Sequence, residues 1–82
     1  MENFAPAAGY LKEILVLKTN ISSKKQVKTV APLLNGQESI SRWNIDLNDI
    51  DKVLRIEASD IELDDVVQLI QEAGFYCEEL AD

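Results

Sequence analysis

The sequence contains no histidine and only one cysteine, Cys77, among its 82 residues. Histidine is the commonest general base and metal ligand in proteins, so its absence excludes the usual serine–histidine and cysteine–histidine catalysis. One thiol cannot close a disulfide within the chain, and nothing indicates an oxidising compartment. The three glycines form no phosphate-binding loop. We therefore expect a protein that is not an enzyme and that uses no cofactor.

Long apolar runs are also absent, because no stretch approaches the roughly 20 residues that span a bilayer. The first nine residues lack the basic start and following apolar stretch of a signal peptide. These two absences indicate a cytoplasmic protein. The formal net charge of −7 disfavours binding to nucleic acid or to an anionic membrane, since both are negatively charged.

What is present suffices for one small globular domain. A chain of 82 residues has room for a single modest core. Its 46% hydrophobic and 28% charged residues are typical of a folded protein rather than a disordered one. We expect residues 1–10 to be a flexible lead-in and residues 11–82 to form the domain.

The first half of the domain shows a strand pattern followed by a helix pattern. Residues 11–21 alternate with a period of two, which predicts a strand. Ser22 or Ser23 then offers a hydroxyl that can cap the start of a helix. The apolar stripe of this helix comprises Val27, Val30, Ala31 and Leu34, and Asn35-Gly36 follows as its stop.

The second half repeats the alternation between the two periods. The predicted elements are strands over residues 40–47, 52–58 and 75–80, and a helix that begins after Ser59 or Asp60 and ends at Gly74. Ile40 is out of phase with Trp43, a predicted core residue, and this indicates a bulge near Ser41. The order β-α-β-β-α-β predicts an α+β, ferredoxin-like fold: a four-stranded antiparallel sheet with two helices on one face.

Four segments carry a resemblance to a known family. They are Ile21-Ser22-Ser23-Lys24-Lys25-Gln26-Val27, the helix positions Val30 and Leu34, the strand Trp43-Asn44-Ile45-Asp46-Leu47, and the turn Ala73-Gly74-Phe75. In these segments the chain resembles the heavy-metal-associated domains of copper chaperones and metal-transporting ATPases. The first segment falls where that family has Met-Thr-Cys-x-x-Cys-Val. The resemblance implies the same fold and a metal site in this loop.

The two positions of the family's metal ligands hold Ser23 and Gln26. Neither side chain supplies a thiolate, which is the ligand that holds Cu(I). We therefore expect no metal here and predict a degenerate domain that acts as a small binding or adaptor module. The alternative is genuine copper or zinc binding or transport, through a weak site or one completed by Cys77 or by a partner's thiols. A small-molecule sensor of the same topology is a third hypothesis.

A protein partner is expected at the loop and the start of the helix. Lys24, Lys25 and Lys28 form a small basic patch there, next to Ser22, and an acidic partner would complement it. The resemblance implies the same location, because the family's partners dock at this end. The simpler alternative is a solvated helix face.

Two further features have competing interpretations. Ile14 and Val16 fall on the second face of the first strand, which is more apolar than solvation requires, and they indicate a patch for weak homodimerisation. Cys77 is interpreted as a buried structural thiol, or as one that is half-exposed near the sheet. A lone metal ligand, a redox switch and a disulfide between two subunits are the alternatives for this residue.

Overall fold

The computed structural model describes residues 13–80, and the expected lead-in over residues 1–10 lies outside them. Six elements follow in the predicted order: β1 (Glu13–Thr19), α1 (Lys24–Asn35), β2 (Ile40–Asp46), β3 (Val53–Ala58), α2 (Leu63–Glu72) and β4 (Cys77–Glu79). Neither helix combines the length and apolar character that crossing a bilayer requires within this part of the chain.

The four strands form one sheet in the order β2-β3-β1-β4, and every neighbouring pair is antiparallel. Leu15 of β1 and Trp43 of β2 both lie opposite Ile56 of β3, so these three residues share one face. The predicted ferredoxin-like fold is confirmed. The predicted bulge is also confirmed, because the β2–β3 register shifts between Ile40 and Arg42.

The core lies between the helices and this face of the sheet. Its buried members are Leu17, Ile21, Val30, Leu34, Leu54, Ile56, Ala58, Val66, Ile70 and Cys77. Trp43 is partly buried against them, as predicted. Its ring N–H donates to Oδ1 of Asn35 at 2.8 Å, which ties the end of α1 to the edge strand β2.

The prediction that Ser59 or Asp60 caps α2 is wrong. The cap residue is Glu62, and its backbone N–H donates to the carboxylate of Asp65 at 3.4 Å. Asp60 instead has a φ of 63°, a left-handed conformation that an aspartate tolerates better than most residues. The chain therefore uses Asp60 to turn out of β3 before the helix begins.

Gly74 ends the structure of α2 as predicted. Its φ is 95°, and its N–H donates to the carbonyl oxygen of Gln71 at 2.9 Å. The N–H of Phe75 donates to the carbonyl oxygen of Ile70 at 3.2 Å. This pair of bonds is a Schellman motif, for which glycine is the favoured residue. Because Phe75 is engaged with the helix, β4 begins at Cys77, two residues later than predicted.

Candidate functional site

The candidate site is the loop between β1 and α1, and Thr19 anchors it. The hydroxyl of Thr19 donates to the carbonyl oxygen of Lys52 at 2.6 Å and accepts the N–H of Ile21 at 3.1 Å. The N–H of Thr19 donates to the carbonyl oxygen of Asp51 at 3.1 Å. These bonds fasten the β1–α1 loop to the β2–β3 turn. Ile21 is fully buried beneath the loop.

Asn20 fastens the same loop to a third segment. Its Oδ1 accepts the backbone N–H of Tyr76 at 2.9 Å, which brings the α2–β4 connection to this end of the sheet. Two large apolar side chains are exposed on these neighbouring segments, Ile50 at 92% and Tyr76 at 46%. Sequence reasoning missed both. The exposure of Ile50 could have been predicted, because this isoleucine lies between two aspartates in a turn.

Ser23 and Gln26 form side-chain hydrogen bonds at the start of α1. The hydroxyl of Ser23, the cap residue, accepts the N–H of Gln26 at 3.2 Å. The side-chain Oε1 of Gln26 reaches back and accepts the N–H of Ser22 at 2.8 Å and its hydroxyl at 3.2 Å. This arrangement is close to a capping box, in which the residue three positions after the cap returns to the chain before the helix.

The prediction that Ser22 or Ser23 caps the helix is therefore confirmed for Ser23. The role of Gln26 was missed, although Ser-x-x-Gln is itself the sequence signature of a capping box. The structure thus brings together the two residues at the family's ligand positions and engages the side-chain oxygens of both in local hydrogen bonds.

The chemistry of the loop is that of neutral oxygens and ammonium groups. Lys24 and Lys25 are exposed in the first turn of α1, and Lys28 is exposed one turn later. Positive charge at a helix N-terminus opposes the helix dipole, and like charges four residues apart repel by about 0.2–0.5 kcal/mol. None of the three lysines forms an ion pair with another residue in the 13–80 range. The basic patch therefore brings α1 no evident stability.

Cys77 lies at the same end of the sheet but faces inward. It sits opposite Thr19 in the β1–β4 register and is 2% exposed. Burial, with a smaller contribution from the charge of Glu78, raises the pKa of the Cys77 thiol to about 11. The predicted burial is confirmed, and little of this thiol is ionised at neutral pH. Between residues 13 and 80 no three side chains of histidine, cysteine, aspartate or glutamate gather into a metal-binding group.

Comparison with known proteins gives structural relatives only. No protein-family profile matches the sequence, and no curated protein matches it. Oxidised MerP from Ralstonia metallidurans CH34 is 11% identical with a TM-score of 0.74, over 87% of this chain and 100% of that one. The CsoZ metallochaperone is 16% identical with a TM-score of 0.71, over 83% and 99%. The Atx1–Cu(I)–Ccc2a complex contributes a chain that is 18% identical with a TM-score of 0.72, over 84% and 96%.

The chain therefore has the fold of the heavy-metal-associated metallochaperones. The resemblance drawn from the four sequence segments is confirmed at this level. At 11–18% identity the likeness establishes the architecture and leaves the activity to be argued from the loop.

Proposed function

We propose that this chain is a small, non-enzymatic binding or adaptor domain of the cytoplasm, built on the metallochaperone fold without a thiolate metal site. One observation carries the proposal: the side-chain oxygens of Ser23 and Gln26, at the two ligand positions, accept the backbone N–H groups of Gln26 and Ser22. Both side-chain oxygens are thus engaged by hydrogen bonds within the loop itself.

Metal binding at this loop would have to displace these bonds. Losing a serine cap costs about 1 kcal/mol, and a hydroxyl and a carboxamide are poor ligands for Cu(I), which prefers soft sulfur. Cys77 offers little compensation, because its thiol is 2% exposed and has a pKa of about 11. The cost of losing the cap and the lack of an available thiolate both disfavour a copper or zinc carrier.

The proposed contact surface comprises Ser22, Lys24, Lys25 and Lys28. The three lysines make a locally positive patch on a chain whose net charge is −7. They lie at the start of α1, where positive charge is unfavourable. An acidic protein partner would compensate that cost. The solved complex of Atx1 with Cu(I) and Ccc2a supports the proposal, because a chain of this fold is joined there with another protein.

A competition titration tests the metal part. Reduced protein is titrated with Cu(I) and with Zn(II) against a chromogenic chelator, beside the double variant Ser23→Cys/Gln26→Cys. We expect no stoichiometric binding by the natural chain and one equivalent of Cu(I) bound by the variant, which restores Cys-x-x-Cys. Stoichiometric, submicromolar binding by the natural chain would replace the proposal with the metal-carrier alternative.

Quantitative affinity capture tests the contact surface. The immobilised natural chain is compared with Lys25→Gln and with Gln71→Glu, an exposed position of α2. Each substitution lowers the net charge by one. Partners of the loop are expected to lose recovery on Lys25→Gln and to keep it on Gln71→Glu. Equal recovery of every captured protein on all three baits would contradict the proposed surface.

A further inference from the structure

The outer face of the sheet, opposite the helices, carries an apolar strip. Ile14 is 58% exposed and Val16 is half-buried, and neither belongs to the core cluster. Leu80 lies beside Val16, since its N–H donates to the carbonyl oxygen of Val16 at 3.0 Å. Adjacent apolar side chains on an uncovered sheet face are a feature of interaction surfaces. The identity of the occupant follows from the charges around the strip.

Residues opposite one another in antiparallel strands lie on the same face, so the register gives the pattern of this surface. One row across the strands contains Arg42, Glu57 and Ile14, and the next contains Asn44, Arg55 and Val16. Each row has a charged residue on β3 and an apolar residue on β1. On β2 the first row has Arg42, which forms an ion pair with Glu57 at 3.9 Å, and the second row has the neutral Asn44. The charges on β3 are opposite in sign.

Among two-fold axes that run along or across the strands, one brings the opposite charges on β3 together and also covers the apolar residues of β1. An axis across the strands, midway between the rows, places Arg55 against Glu57 of a second copy and Ile14 against its Val16. An axis along β3 places Arg55 against Arg55 and Glu57 against Glu57. An axis between β1 and β3 places apolar residues against charged ones. Like charges and unpaired charges are unfavourable at an interface.

We infer that two copies of this chain associate through their outer sheet faces, related by a two-fold axis across the strands, with reciprocal Arg55–Glu57 and Ile14–Val16 contacts. Reciprocal contacts of this kind are what a symmetric dimer requires. The inference goes beyond the proposed function, because it concerns the opposite side of the sheet from the helices and does not depend on the loop.

The size of the face sets the strength of association. The strands have seven, seven, six and three residues. At about 3.4 Å per residue and about 4.8 Å between strands, they give a face of roughly 400 Å². Stable interfaces bury about 800 Å² on each partner. The face is therefore smaller than a stable interface requires, and we expect association only at high protein concentration.

Sedimentation equilibrium between about 10 µM and 1 mM protein tests the inference with two charge reversals. Arg55→Glu leaves two acids on β3 and Glu57→Arg leaves two bases on β3, so we expect each variant alone to associate at least tenfold more weakly than the natural chain. When the two variants are mixed, every acid again meets a base. The mixture is expected to recover a dimer that contains one copy of each.

Glu38→Arg is the matched control for Glu57→Arg, because both raise the net charge by two and Glu38 is exposed on the α1–β2 connection. It is expected to dimerise as the natural chain does. Circular dichroism verifies that the variants are folded. A natural chain that stays monomeric at 1 mM would overturn the inference, whatever covers the face instead. So would reversals that leave association unchanged, or a mixture that remains monomeric.

Discussion

The hydroxyl of Thr19 joins the end of β1 to the β2–β3 turn, because it donates to the carbonyl oxygen of Lys52 at 2.6 Å. Lys52 has a φ of 47°, so this bond fixes a residue in the left-handed region. The same oxygen accepts the buried N–H of Ile21. One side chain thus satisfies two backbone groups beneath the candidate loop.

Thr19→Val should test that role, since valine keeps the shape and removes the hydroxyl. It leaves the N–H of Ile21 and the carbonyl of Lys52 without this partner, and buried unsatisfied groups cost about 1–3 kcal/mol. We expect the free energy of unfolding, measured in urea, to fall by about 2 kcal/mol. Thr29→Val is the matched control, because the Thr29 hydroxyl bonds an exposed helix carbonyl. An equal effect of both substitutions would contradict the argument.

The cap of α1 makes a second prediction. Ser23→Ala removes the acceptor for the N–H of Gln26, and the expected loss of stability is about 1 kcal/mol. Ser22→Ala removes only an exposed hydroxyl bond to Oε1 of Gln26 and should have a smaller effect. Chemical denaturation of both variants makes the comparison. If Ser22→Ala proves the more destabilising, Ser23 does not cap the helix.

The pKa of Cys77 predicts a loss of stability at alkaline pH. Burial raises it from the ordinary value of 9.0 to about 11 in the folded chain. The folded state therefore favours the neutral thiol. This contribution is fully present below pH 9 and is lost as the pH rises from about 9 to about 11. Denaturation of the natural chain and of Cys77→Ala across this range isolates the effect from other titrating groups.

Below pH 9 Cys77→Ala should be the less stable protein, because a buried side chain has been shortened. The difference should narrow as the pH approaches 11. A constant difference, or rapid reaction of the native thiol with an aromatic disulfide reagent at pH 8, would show that Cys77 is not held neutral in the core.

The substitution Gly74→Ala should measure the cost of backbone strain alone. A Cβ at this position meets no atom within 4 Å, so the φ of 95° is the whole difficulty. A left-handed alanine costs about 1 kcal/mol, and asparagine tolerates the conformation better. We expect the midpoint temperature of thermal unfolding to be highest for the natural glycine, lower for Gly74→Asn and lowest for Gly74→Ala. An alanine variant as stable as the natural chain would show that the turn rearranges.

The sequence was sufficient to predict the fold because local and long-range signals agree. Three features were predicted correctly, and each depends on one short segment. They are the strand β1, the buried stripe of α1 through Val30 and Leu34, and the bulge after Ile40. The start of α2 was not predicted correctly, since Ser59 and Asp60 are good caps in isolation. The return of the chain from β3 requires a turn there, which only the folded structure defines.

Prediction of the site was less complete for a similar reason. The sequence placed Ser23 and Gln26 at the ligand positions and Lys24 in the basic patch. It did not show that Gln26 folds back onto Ser22, because a glutamine side chain has many accessible rotamers and the preceding loop selects one. The exposed Ile50 was also missed, since its exposure depends on how the β2–β3 turn meets the end of β1.

The hydrogen bonds between Ser22, Ser23 and Gln26 have a consequence for how the domain would be regulated. A loop that is closed by an ion changes shape when the ion leaves, and a partner can sense the difference. This loop is closed by covalently attached side chains that no change in metal supply or thiol oxidation removes. The shape that these bonds give the loop therefore does not depend on a thiol or on its oxidation state.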